Sequence, residues 1–193
     1  MPHRCLQIIY DEHASLRSVL VAMQKLLDHG PTDEGECFFD VMRGMLFYID
    51  EFPERLHHTK ESDLLFPRVV RAAPHLLELV TRLERDHMRG EQEVRELQHL
   101  LLAWELLGEP RRAAFVEHCT RYLDFYQEHM RLEETVILPE ALKCLGEADW
   151  KALDSAFEKN RDPLSGRYPP DPAYDRLFTR MLMRATSVVN TDL

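Results

Sequence analysis

Two eleven-residue segments of the sequence repeat the same residue types at the same spacing. His57 is followed by Glu61 at the fourth position and by Pro67 at the tenth, and the segment from His129 to Pro139 repeats both intervals, with Glu133 as its carboxylate. Residues four apart lie one turn apart on the same face of a helix. Each segment is therefore predicted to present one imidazole and one carboxylate to the same point, as metal ligands would be.

An acidic residue followed by histidine precedes each of these segments. Glu12-His13 lies before His57, and Asp86-His87 lies before His129 by nearly the same interval. The order His, then His-x-x-x-Glu, thus occurs twice, which indicates an internal repeat of two helix pairs. Packed together, the two pairs would bring four imidazoles and two carboxylates into one core.

The repeated side chains predict a centre of two metal ions. Burying two carboxylates without counter-charge is very costly, and two multivalent cations would remove that cost. The predicted ligands are His13, His57, Glu61, His87, His129 and Glu133. His13 and His57 would serve one metal, His87 and His129 the other, and both carboxylates would bridge. Nitrogen and oxygen ligands without sulfur favour iron or manganese, with zinc less favoured.

Two further residues could extend the ligand set. His58 adjoins His57 and could be a further ligand or a hydrogen-bond donor to one, and Glu91, four residues after His87, could reach the same metal as His87. For each, a solvated side chain is the alternative. A single His-x-x-x-Glu pair is more often a surface ion pair than a metal site. The metal interpretation therefore depends on the repetition of type, order and interval.

The elements that must position these residues are predicted to be helices. Apolar residues recur at helical spacing along most of the chain, and Gly and Pro interrupt them. The spacing predicts a first helix over about residues 4–28, a second from Thr32 or Asp33 to Leu65, a third opening at Pro74 and a fourth ending near Gly146. Pro53 predicts a local irregularity, and Pro67 should bend or end the second helix. Short connections favour an all-α, up-down-up-down four-helix bundle.

The C-terminal part of the chain adds one or two helices to this bundle. Residues 149–160 are predicted to form a short fifth helix, 162–172 a turn-rich linker, and 174–189 a last amphipathic helix. We therefore predict a bundle domain over residues 1–166, and a Pro-rich linker with a C-terminal helix over 167–193. That last helix would pack on the bundle or on a partner, a second copy in a homodimer included.

The composition argues against nucleic-acid and membrane functions. The net charge of −10 repels phosphate, and no apolar run is long enough to cross a bilayer. The first residues lack the apolar stretch of a secretory signal. The four cysteines, Cys5, Cys37, Cys119 and Cys144, form no Cys-x-x-Cys pair, so a thiolate zinc site has no support. We expect them to be buried, reduced thiols in a cytoplasmic protein.

The motifs resemble those of the hemerythrin-like, or HHE cation-binding, family. The resemblance covers roughly residues 6–165 and is carried by Glu12-His13, His57 to Glu61, Asp86-His87 and His129 to Glu133. It implies a four-helix bundle with two iron ions joined by an oxo or hydroxo bridge. It also implies reversible O₂ binding, sensing of O₂, NO or iron, or breakdown of peroxide, depending on the member.

The sequence departs from the oxygen-carrying members of that family at two places. Those members have a second His four residues after the third-helix His, where this chain has Glu91. They also use His-x-x-x-x-Asp on the fourth helix, where this chain has His129-x-x-x-Glu133. The order H, HxxxE, H, HxxxE looks more like that of members for which peroxide or nitric-oxide chemistry has been proposed.

Two functions are therefore expected, and they belong to different classes. One is a redox-active di-iron protein, including a peroxide- or NO-handling oxidoreductase, that binds a small diatomic ligand or peroxide. Tyr122 and Tyr126 are core residues or hydrogen-bond donors to such a ligand, and Tyr126 or His58 could supply a proton. The other is a non-enzymatic iron or oxygen sensor that signals through a partner surface. A metal-free helical interaction protein is a third interpretation. A ferritin-like ferroxidase is disfavoured, because that bundle uses Glu-x-x-His pairs.

Overall fold

The computed structural model describes residues 3–31, 35–167, 174 and 179. Within them, the chain forms four long helices and a short fifth helix. The helices are α1 (Arg4–His29), α2 (residues 35–72), α3 (Leu77–Leu107), α4 (residues 112–144) and α5 (Glu147–Phe157). No β-strand occurs among these residues, which confirms the all-α prediction. Within the same ranges, no helix has the length and hydropathy that a membrane crossing requires.

Glycines end α1 and α3. Gly30 has a φ of 69° and Gly108 a φ of 80°, in the left-handed region that favours glycine. The Gly30 amide donates to the Leu26 carbonyl at 2.9 Å, and the Gly108 amide donates to the Trp104 carbonyl at 2.9 Å. Each glycine thus closes the last turn of its helix and lets the chain reverse into the next one.

Helices α2 and α4 widen into π-helical turns beside the repeated motifs. The π segments are Asp50–His58 and Glu61–Leu65 in α2, and Glu133–Ile137 in α4. The first contains Pro53, so the predicted irregularity is confirmed. The other two begin at the motif glutamates and end two residues before Pro67 and Pro139. A proline ring clashes with the carbonyl one turn earlier, and a wider turn relieves that clash. Pro67 therefore does not end α2, which continues to Ala72.

Two apolar cores lie along the bundle, one on each side of a polar layer. One core joins the C-terminal part of α1 and the N-terminal part of α2 with the C-terminal part of α3 and the N-terminal part of α4. The other joins the opposite ends of the same helices and adds α5. This exchange of ends shows that successive helices run antiparallel, as predicted. The polar layer between the cores contains the repeated histidines and glutamates.

The chain after α5 folds back against the bundle. We call residues 158–167 the strap; it is a turn-rich segment in which Asp162 is buried against the Tyr48 hydroxyl at 2.8 Å. Tyr174 packs its ring on Phe52 with centroids 5.2 Å apart. Apart from residues 174 and 179, the predicted linker end and last helix, residues 168–193, lie outside the described residues.

The cysteines differ in burial. Cys5 and Cys119 are buried, and burial raises the pKa of each thiol to about 12. Cys37 and Cys144 are only half-buried, so the prediction of four buried thiols is wrong for these two. All four are free.

Candidate metal centre

The six side chains predicted as ligands meet in the polar layer between the two cores. None of them is more than 7% exposed. They come from four helices: His13 from α1, the first His-Glu pair from α2, His87 from α3, and the second His-Glu pair from α4. Burial of so many ionisable groups at one point is rare unless a partner or a metal satisfies them. The six side chains are His13, His57, Glu61, His87, His129 and Glu133.

The four imidazoles face each other in two pairs. The Nε2 atoms of His13 and His57 are 3.1 Å apart, and those of His87 and His129 are 3.0 Å apart. Two nitrogen ligands that bind one ion at about 2.1 Å and at a right angle to each other lie about 3 Å apart. We call His13 and His57 the first pair, and His87 and His129 the second pair. Each pair has the spacing of two ligands to a common cation.

Both carboxylates lie between the two pairs and direct one oxygen to each. Glu61 Oε1 is 3.2 Å from His57 Nε2, and Glu61 Oε2 is 3.5 Å from His87 Nε2. Glu133 Oε2 is 3.4 Å from His13 Nε2, and its Oε1 is 3.3 Å from His129 Nε2. Each glutamate therefore has the position of a bridging ligand to two cations.

The four oxygens of these carboxylates have no hydrogen-bond partner within the described part of the chain. All of them are buried, on Glu61 and on Glu133. A buried carboxylate without hydrogen bonds costs several kcal/mol, so natural proteins pair it or use it to bind a metal. The donor set of four imidazole nitrogens and four carboxylate oxygens suits two cations. The residues thus fit the metal centre that the sequence predicts.

A second set of side chains fixes the outer nitrogens of the imidazoles. Glu12 Oε2 lies 2.7 Å from His57 Nδ1, Glu134 Oε1 lies 3.0 Å from His13 Nδ1, and Ser62 Oγ lies 2.8 Å from His87 Nδ1. Asp86 Oδ2 is farther, at 3.8 Å from His129 Nδ1. Such contacts hold the ring so that Nε2 faces the metal position.

These outer partners follow the internal repeat. Glu12 and Asp86 are the residues before the first histidine of each half, and Ser62 and Glu134 are the residues after each motif glutamate. The acidic residues before histidine were visible in the sequence. Ser62 and Glu134 were not found, although their matched position after the two glutamates was a usable signal.

His58 lies beside the second pair. It is buried, its ring stacks on that of His87 with centroids 4.3 Å apart, and it offers a ligand atom within 4.8 Å of those of Glu61, His87 and His129. Its Nδ1 is 3.1 Å from Glu54 Oε2. Burial and then the neighbouring imidazoles of His87 and His57 hold the pKa of His58 well below its ordinary value. A neutral imidazole in this place can bind a metal ion through its unprotonated nitrogen.

Glu91 lies outside the cluster. Its side chain is 49% exposed and pairs with Arg95 at 2.6 Å. The buried face of α3 includes His87, Gly90 and Val94, so Glu91 falls on the neighbouring, solvent-facing side of the helix. The structure therefore favours the solvated-side-chain interpretation of this residue over the ligand interpretation.

A buried hydrogen-bonded group borders the second pair. The Tyr126 hydroxyl donates to Glu54 Oε1, and the Tyr122 hydroxyl lies 3.4 Å from the same oxygen. Burial raises the pKa of Glu54 to about 8, although Tyr126 and His129 oppose the shift. A Cβ on Gly90 would overlap the Tyr126 hydroxyl and lie 2.8 Å from Cζ of that ring. Glu54 and Gly90 were not found from the sequence, yet Glu54 precedes His57 by the interval that separates Tyr126 from His129.

Neighbouring carboxylates raise the pKa of two of the four imidazoles. Burial lowers the pKa of His57, but Glu61 and Glu12 outweigh this effect and the pKa lies well above its ordinary value. For His129 the same competition, with Glu133 and Asp86, raises the pKa to about 10. Cation binding must release these protons, because a ligating imidazole is neutral.

A small pocket with room for about one water molecule borders the first pair. His13 and His57 line it together with Leu16, Phe52 and Leu56, and the strap contributes Asn160 and Asp162. A small, uncharged molecule suits this largely apolar lining.

Comparison with known proteins gives one result. A model of the family described as the hemerythrin HHE cation binding domain matches residues 5–141, which include all six predicted ligands. No curated protein matches the chain.

Proposed function

The chain belongs to the hemerythrin HHE cation-binding family, and from this premise we propose that it holds two iron ions which bind or react with O₂, peroxide or nitric oxide. The observation that carries the proposal is the pair of bridging carboxylates. Glu61 and Glu133 each direct one buried, unpartnered oxygen to each imidazole pair within the described residues. One cation at each pair would use both oxygens of both glutamates.

The ligand types support iron or manganese over zinc. The set contains imidazole and carboxylate and no sulfur, which suits iron or manganese. Zinc in a structural site prefers a closed set of four ligands. Two imidazoles and two carboxylate oxygens give each ion four protein ligands, so octahedral ions keep open positions. Bound iron would supply these open positions and a change of oxidation state.

The surroundings support a small, uncharged or weakly polar ligand. The small pocket beside the first pair is lined in part by Leu16, Phe52 and Leu56, and these apolar side chains favour an uncharged molecule next to the centre. Next to the second pair, burial raises the pKa of Glu54 to about 8, and this carboxyl lies within hydrogen-bond reach of His58 and Tyr126. That group can hold a proton close to the metals, and proton transfer would be needed for reduction of peroxide or O₂.

The direct experiment measures metal content and spectrum together. Protein purified from cells grown in iron-rich medium should contain two iron ions per chain by elemental analysis. Its visible absorption spectrum should change when azide, peroxide or NO is added. Glu91→Gln is a matched control, because Glu91 is an exposed glutamate outside the cluster. If the protein contained iron but its spectrum did not respond, iron binding would stand and the proposed reactivity would be contradicted. That result is the one expected of a non-enzymatic sensor. Absence of iron would contradict the whole proposal.

A further inference from the structure

The strap brings an amide to the first imidazole pair. Asn160 is 3% exposed, and its Nδ2 donates to Glu12 Oε2 at 2.8 Å. The same oxygen lies 2.7 Å from His57 Nδ1. Asn160 therefore touches the carboxylate that holds a predicted ligand, although it lies outside residues 5–141, which the family model matches.

The orientation of this amide is fixed from several sides. The Lys60 ammonium donates to Asn160 Oδ1, so the NH₂ group must face Glu12. The Asn160 backbone amide donates to the Phe157 carbonyl at 3.0 Å, and the Phe157 ring packs edge-on to the His57 ring. Lys60, Asn160, Glu12 and His57 thus form one chain of contacts that ends at the metal position.

The rest of the strap fastens Asn160 in place. Asp162 accepts from the Tyr48 hydroxyl at 2.8 Å through one oxygen and from the Leu164 amide at 2.8 Å through the other. Arg167, at the end of the strap, pairs with Asp11 on α1. The Tyr48 bond holds the strap against α2 next to Asn160, whereas the partly exposed Arg167–Asp11 ion pair lies seven residues further along the chain and contributes at most about 1 kcal/mol.

The second pair has a looser arrangement at the matching position. Asp86 Oδ2 lies 3.8 Å from His129 Nδ1, and 3.8 Å from Arg82 Nε on its solvent side. His129 Nδ1 has no hydrogen-bond partner in the described part of the chain. The shorter side chain of Asp86 and the absence of a second donor there leave the imidazole less firmly held than that of His57.

We propose that Asn160 is a positioning residue for the first cation, and that through it the two cations bind with unequal affinity. The inference rests on the proposed two-metal centre. Glu12 has two donors to its Oε2, from His57 and Asn160, while its Oε1 is buried without a partner in the described residues. Loss of the amide would free the carboxylate to turn, and His57 would lose its fixed orientation. Loss of an outer partner of this kind typically weakens metal binding by about 10- to 100-fold.

The test is a titration of the metal-free, full-length protein with cobalt(II), in which binding is measured by the visible absorption bands of bound cobalt. Asn160→Leu keeps a similar volume and removes the donor. It should weaken one of the two binding steps by about 10- to 100-fold and leave the other unchanged. In the cobalt protein, the shifted proton resonance of His57 Nδ1–H should also exchange faster with water than in the wild type. The proton on His87 should be unaffected.

A second variant and a control make the outcome decisive. Asn160→Asp keeps the contact with Lys60, and therefore the fold, but presents an oxygen to Glu12; it should weaken the same step. Arg167→Ala removes the other end of the strap without touching Glu12, and it should bind both ions like the wild type. The inference would be overturned if both Asn160 variants bound the two cobalt ions with the same affinities as the wild type. It would also be overturned if Arg167→Ala weakened the same binding step as they do. A wild-type protein that binds fewer than two cobalt ions would instead overturn the proposed function.

Discussion

The two imidazole pairs have the same ligand types but different neighbours. Three residues after His13 stands Leu16, which lines the small pocket beside the first pair. Three residues after His87 stands Gly90, and the space that a side chain would fill there is occupied by the Tyr126 hydroxyl. The first pair therefore borders a small pocket, whereas the second pair borders a filled, hydrogen-bonded group.

Other matched positions deepen the difference. His58 follows His57, and Met130 follows His129, so a third imidazole is available beside the second pair. Glu54 and Tyr126 hold matching positions in the two motifs and bond to each other across the bundle. The repeat thus supplies a nearly symmetric set of ligands. The residues around it leave a small pocket on one side, which we call the open side, and fill the other, which we call the closed side.

The largest effect should come from a change that breaks both sides at once. Glu133→Gln removes the charge of a carboxylate that faces both pairs, so metal content should fall from two ions per chain to near none. His57→Ala should instead lose the first ion preferentially and keep part of the second. Elemental analysis after gel filtration measures both. If Glu133→Gln retained as much metal as the wild type, the Glu133 carboxylate would not bridge the two ions.

The next effect tests the closed side alone. Gly90→Ala would push a methyl group into Tyr126 and should lower the free energy of unfolding by about 3 kcal/mol, because inserted groups in packed cores cost about 1–3 kcal/mol or more. Gly146→Ala is the control: a Cβ there meets nothing within 4 Å, and we expect a loss of at most about 1 kcal/mol because alanine is a weaker N-cap of α5 than glycine. Urea denaturation of the metal-free variants gives both values. A tolerated Gly90→Ala would contradict the close packing of Tyr126.

A pH-dependent effect should belong to the strap beside the first pair. Burial, then the nearby Glu12 charge, raises the pKa of Asp162 to about 6, although Leu164, Tyr48 and His57 oppose the shift. Between about pH 4 and pH 6 the folded chain keeps a proton that the unfolded chain has lost. Raising the pH through this window should therefore lower the free energy of unfolding of the wild type, relative to Asp162→Asn, by about 2 kcal/mol in all. A difference that stays constant from pH 4 to pH 7 would contradict the shifted pKa.

The smallest effect concerns access from the open side. Leu56→Trp should fill part of the pocket and slow azide binding to the iron-loaded protein about tenfold, which corresponds to about 1.4 kcal/mol in the barrier, without changing metal content. Met88→Trp places the same bulk on α3, next to His87 in the chain, at a residue that is 62% exposed. It should leave the rate unchanged. Equal slowing in both variants would remove the distinction between an open side and a closed side.

The helices and the six clustered side chains were accessible from the sequence because both depend on local spacing. Apolar residues at helical intervals predict α1 to α5, and a histidine four residues before a glutamate must share a face with it. The repetition of this pattern then supplied the pairing of His13 with His57 and of His87 with His129. Local geometry, used twice, was sufficient for these predictions.

The remaining features depend on packing between distant parts of the chain. Asn160 reaches Glu12, and Gly90 admits Tyr126, only because the helices and the strap meet in space. Glu91 has the right interval from His87, but α3 turns that position toward solvent, which spacing alone does not determine. The π-helical turns at Glu61 and Glu133 were signalled by the prolines six residues later, yet the sequence did not distinguish a widened turn from a bend.

X-ray absorption at the iron edge of the iron-loaded protein tests the two-metal centre most directly. Two ions joined by the carboxylates of Glu61 and Glu133 should give an iron–iron scattering distance of roughly 3.5–4 Å, the separation usual for paired metal sites. The same signal should be missing from Glu133→Gln. A spectrum of the wild-type protein with nitrogen and oxygen neighbours only, and no second iron, would contradict the account.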